Sequence, residues 1–158
     1  MITLLHITNK TKMDNYEKSN KVESFPNKIT ASTKKLFKTL READITNTIA
    51  LKRLADAICD DFKVSKVSIA YSGIQSNTQV NGKLKSKTLG TYTTIRESIR
   101  IFQYTAVRKK EVSAKTALDT LLHELCHHFD FKILKLDKSI HSAGFYKRIS
   151  NLKESLLK

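Results

Sequence analysis

The sequence has no tryptophan, one proline, four glycines and two cysteines among its 158 residues. So little Pro and Gly excludes collagen-like and linker-like chains, which depend on those residues. Cys59 and Cys126 are too few for a disulfide framework, and with no C-x-x-C pair they build no zinc ribbon. Long apolar runs are also missing, since nothing approaches the roughly 20 residues of a membrane span. The opening MITLLHITNKTK lacks a basic lead and a small-residue cleavage site, so it does not read as a secretion signal. The expectation is an intracellular monomer, cytoplasmic or at the nucleoid or nucleus, in reducing surroundings and without membrane attachment. Acidic residues are scarce as well: 15 Asp and Glu face 29 Lys and Arg, a formal charge of +14. Such a field favours polyanions, DNA or RNA first, although no base-reading motif is present.

What is there suits one compact domain with one core, since 40% of the residues are apolar. Residues 1–28 read as a poorly ordered N-terminal arm with a short strand at Ile2–Ile7, and residues 29–158 as the folded domain. A helix is expected over about Ser32–Ala43. A second carries Leu51, Leu54, Ala55, Ile58 and Phe62 at helical spacing, with Thr46 or Asn47 as its cap. Val67, Ile69 and Tyr71 alternate as in a strand that ends at Gly73, and Asn81-Gly82 is a turn signal. Two more strands are expected near Thr88–Thr94 and Ser98–Tyr104, with Arg108-Lys109-Lys110 in a loop. A final helix from about Ser142 would bury Phe145, Ile149, Leu152 and Leu156 and turn Lys147, Arg148 and Lys153 outward. The fold class is α+β: a small, mostly antiparallel three-stranded sheet packed on a central helix, in the manner of zincins.

That helix carries the chemistry. Over about Ser113–Phe131, with Ser113 as cap, Leu118, Leu121, Leu122, Leu125 and Phe129 form one apolar stripe. His123 and His127 fall on the opposite face, one turn apart, so both imidazoles can reach one ion. His123-Glu124-Leu125-Cys126-His127 is therefore an H-E-x-x-H motif. Neutral imidazoles hold zinc while leaving it Lewis-acidic, and the carboxylate of Glu124 can take a proton from a metal-bound water. Asp119 could orient His123 or could be a solvated carboxylate, and Asp130 is open to the same two readings. His128 points away from the pair, toward the core edge or solvent, and Cys126 reads as packing material. A third ligand must come from beyond the helix, and Asp137, His141 and Glu154 remain open on spacing alone, Asp130 being too close on the same helix.

The run His123–His127, a connector, and His141-Ser142-Ala143-Gly144-Phe145 opening a last helix resembles the SprT-like (Spartan-type) metallopeptidases. The similarity reaches upstream through the SIRIF strand at Ser98–Phe102 and covers about residues 47–155. It implies His141 as the third zinc ligand, an aromatic at Phe145, and a zinc endopeptidase that cleaves proteins bound to DNA. It also implies substrate addition to an edge strand, Gly90–Thr94 or Ser98–Tyr104. Ser142 stands where the family usually has Gly, and the family's frequent four-cysteine ribbon is missing. Tyr146, Tyr104 and Arg148 are candidate oxyanion donors. Two other readings stay open: a gluzincin-type peptidase with Glu154 as third ligand and no DNA dependence, and a basic nucleic-acid-binding module with a structural zinc.

Overall fold

The computed structural model describes residues 15–80 and 83–158. The expected strand Ile2–Ile7 and the Asn81-Gly82 turn lie outside the described residues. Helix α1 occupies 15–21, followed by α2 (Ala31–Glu42) and α3 (Thr48–Asp61). Strands β1 (Ser68–Tyr71), β2 (Ser76–Val80), β3 (Lys83–Thr88), β4 (Gly90–Thr93) and β5 (Ser98–Ile101) come next. Helices α4 (Ala114–Lys132) and α5 (Ala143–Leu157) complete the chain.

The helices start where the chain supplies caps. Thr30, Asn47, Ser113 and Ser142 each accept a hydrogen bond from a backbone N–H of the first turn, that of Thr33, Ala50, Thr116 and Phe145 respectively. Asp44 adds a carboxylate oxygen 2.8 Å from the Ala114 nitrogen, putting negative charge at the positive end of α4.

The α+β class holds, but the sheet is mixed rather than mostly antiparallel. β5 lies in the centre, antiparallel to β4 and parallel to β1, in the order β1-β5-β4. The chain leaves β1, makes the separate β2–β3 hairpin, and re-enters through β4, so β5 reaches β1 by a crossover instead of a direct turn. A parallel pairing of this kind needs a long connection, and the hairpin provides it. Consequently Gly90–Thr93 is an edge strand and Ser98–Ile101 is not.

Helix α4 lies against β4 and β5, with α2, α3 and α5 around its remaining sides. Leu118, Leu121, Leu122, Leu125 and Phe129 are fully buried, as the apolar stripe requires. Each contributes about 1.5–3 kcal/mol, which offsets the cost of taking polar side chains inside with them. Those polar passengers are several: Glu124, His128 and Asp130 are buried too. The helix is enclosed on more sides than one stripe indicates, so Asp130 is no solvated carboxylate. Arg148 is likewise fully buried, against the expectation that it faces outward. It stands three residues after Phe145 and four before Leu152, on the same face as both.

Part of the expected N-terminal arm is built into the domain. Ser19 is fully buried, and Phe25 packs its ring edge on Phe129 with centroids 5.5 Å apart. Gly144 makes this possible, because a Cβ there would collide with the Ser19 carbonyl oxygen and come 2.8 Å from Asn20 Cα. Both obstacles are backbone and cannot swing aside. Gly144→Ala is therefore expected to destabilise the protein by about 1–3 kcal/mol, an overpacking cost measurable by denaturant unfolding.

Candidate metal centre and catalytic cleft

Spacing on α4 brings His123 and His127 to one face, and the connector then delivers His141 just before the α5 cap. His141 Nε2 lies 3.2 Å from His123 Nε2 and 3.1 Å from His127 Nε2. Three ring nitrogens converging this closely could hold a metal ion, and one potential ligand atom from each lies within 4.8 Å of the others. Glu154 and Asp137 do not join them. Glu154 is exposed and paired with Lys158 at 3.3 Å, and Asp137 sits exposed on the connector.

The donor chemistry fits a cation. Burial, followed by the neighbouring His123 and His141, lowers the pKa of His127 to about 3. Burial and then His141 lower that of His123. Both imidazoles are thus neutral at pH 7, with lone pairs available for a ligand bond. Phe145 closes the site from below: fully buried, it stacks on His127 at 4.5 Å and meets His123 and His141 edge-on or tilted at 5.1 and 5.2 Å. The histidines thus have an apolar floor on one side and a cleft on the other.

That cleft, about 1020 Å³, runs between β4 and the helices α4 and α5. Glu124 lines it, only 6% exposed, and burial raises its carboxyl pKa to about 7. A carboxyl poised there exchanges a proton readily near neutral pH. Gly90 sets the width of the cleft, since a Cβ would come 2.6 Å from Thr120 Cγ2 and 2.9 Å from the Arg100 carbonyl oxygen. The edge strand can lie this close to α4 only because the side chain is missing.

The remaining candidates separate cleanly. Tyr146 lines the cleft, its ring 5.9 Å from that of His141. Tyr104 does not; it bridges Ile74 and Glu111 elsewhere. Asp119 lines the cleft mouth and pairs with Lys153 at 2.9 Å. His128 is fully buried: its Nε2 donates to the Ser65 carbonyl at 2.8 Å, so Nδ1 accepts from Tyr92 Oη, also at 2.8 Å. Burial raises the Tyr92 pKa to about 12, which keeps that proton in place and latches β4 to α4. Cys126 is fully buried with its thiol pushed upward by burial, consistent with packing.

Ser139, Asp130 and Arg148 were not distinguished as a group in the sequence. Ser139 Oγ lies 2.7 Å from His127 Nδ1 and donates to Asp130 Oδ2 at 2.7 Å, and Arg148 grips Asp130 through Nε and Nη2 at 3.0 Å each. The sequence reading turned Arg148 outward; its spacing of three residues from Phe145 and four from Leu152 is the signal that could have found it. Among the described residues no helix is long and apolar enough to cross a membrane. No family model, no curated protein and no solved structure matches the chain.

Proposed function

We propose that the protein is a zinc-dependent endopeptidase, with His123, His127 and His141 as metal ligands and Glu124 as general base. The observation that carries this reading is the convergence of three imidazoles, two of them kept neutral by burial, beside a buried carboxyl on an open cleft. When bound, zinc supplies a Lewis acid that polarises the scissile carbonyl and acidifies the attacking water. Glu124 takes the proton of that water and returns it to the departing amide nitrogen. An extended peptide lies along β4, whose outer edge has no strand partner among the described residues and runs beside the three histidines. Tyr146 flanks the cleft where it can meet the substrate carbonyl.

The resemblance to SprT-like peptidases makes DNA-associated proteins the proposed substrates. The charge of +14 supports this, as does the outer face of the sheet. There Arg96 and Arg100 stand among Ser68, Thr91, Thr93 and Ser98 around a groove of about 310 Å³ that no carboxylate lines. Hydroxyls and guanidinium groups are suited to a phosphate backbone.

One zinc per chain is expected by elemental analysis. It should be lost in His141→Ala and kept in Glu154→Ala; the opposite result would favour the gluzincin arrangement. Zinc-loaded protein should cleave a basic DNA-binding protein, faster with single-stranded DNA, and a chelator should stop it. Nucleic-acid binding with no metal-dependent cleavage would instead identify a binding module.

A further inference from the structure

Arg148 uses every N–H it has. Nε and Nη2 donate to the two oxygens of Asp130, and Nη2 also donates to Ser19 Oγ at 3.0 Å. Nη1 donates to the carbonyls of Ser19 and Val22, at the end of α1 and just beyond it. A guanidinium with all five donors satisfied in the core has one geometry open to it. Asp130 is held rigid in turn, and its Oδ2 accepts the only hydroxyl proton of Ser139.

The consequence reaches the metal site. With its proton committed to Asp130, Ser139 can meet His127 Nδ1 at 2.7 Å only as an acceptor. His127 must then carry its proton on Nδ1 and keep Nε2 bare, facing His141 Nε2 at 3.1 Å. This is the tautomer a metal requires from that nitrogen. The buried Ser19 also touches the third histidine's neighbour. Ser19 Oγ is hydrogen-bonded to Ser142 Oγ at 2.8 Å, and Ser142 follows His141 and caps α5.

We infer that Ser139, Asp130 and Arg148 are positioning residues that set the tautomer and orientation of His127, and that residues 15–25 are the clamp that holds them. The inference rests on the metal-binding reading for its functional consequence, but not for its geometry. Residues 15–25 and the metal then stabilise each other, because any coupling between two events is reciprocal.

The test uses the full-length protein. In the metal-free wild type, nitrogen NMR of the imidazoles should show His127 as the Nδ1–H form. Ser139→Ala should mix the tautomers, weaken zinc binding about 10–100-fold and leave thermal unfolding within a few degrees of wild type, while Ser139→Thr restores both tautomer and affinity. Zinc should slow amide exchange across residues 15–25 in the wild type and not in Ser139→Ala. Wild-type tautomer and wild-type zinc affinity in Ser139→Ala would overturn the inference. A wild type that binds no zinc would overturn the metal-binding reading, and the tautomer comparison would still decide the positioning role.

Discussion

Glu124→Gln is expected to lower peptidase turnover by about 10²–10⁴-fold while zinc content stays at the wild-type level. The amide has nearly the same shape as the carboxyl but cannot take a proton from water. Glu124 is no member of the three-histidine cluster, so the ligands are untouched. Nor should the fold suffer. Glu124 is 6% exposed and burial disfavours its charged form, so a neutral side chain of the same size removes that penalty. Turnover, zinc stoichiometry and thermal unfolding together make the outcome specific. Retained activity would exclude Glu124 as the base, and loss of zinc would mean that the carboxyl helps to hold the ion.

Arg148→Leu is expected to have the largest effect on stability, about 3–5 kcal/mol. Asp130 would remain fully buried with Ser139 as its remaining donor, and the carbonyls of Ser19 and Val22 would lose their shared partner. In a domain of this size such a loss lowers the melting temperature by roughly 10–20 °C. Asp130→Leu combined with Arg148→Leu should cost less than Arg148→Leu alone, because no unpaired charge is then left inside. If the double change costs as much or more, lost packing rather than an uncompensated carboxylate explains the defect. Zinc affinity should fall in both variants, since Arg148→Leu leaves Asp130 without the group that fixes it and the double change removes the acceptor of Ser139.

Local pattern made much of the site legible. The one-turn spacing of His123 and His127 and the stripe Leu118, Leu121, Leu122, Leu125 and Phe129 both follow from helical geometry alone. Ser113, Asn47 and Ser142 announced helix starts through side chains that satisfy free N–H groups. The β2–β3 strands escaped notice because their sequence, SNTQV and KLKSKT, has little apolar alternation to mark them. Parallel pairing of β1 with β5 has no local signature either, because strand order is decided by which edges meet after the hairpin excursion.

By itself, then, the sequence determined the α+β class, the starts of α3, α4 and α5, the H-E-x-x-H face and the core stripe opposite it. Each depends on residues within a turn or two of one another, where backbone geometry leaves few choices. Only the tertiary structure decided that His141, rather than Glu154 or Asp137, meets the helical pair, that Gly90 lets β4 approach α4, and that Asp130 and Arg148 are one buried ion pair. Those results join residues far apart in the chain, and an ionisable side chain announces no partner by its spacing. Arg148 lies on the buried face of α5 because Asp130, Ser19 and Val22 are there to satisfy it, and that is settled only when the elements pack.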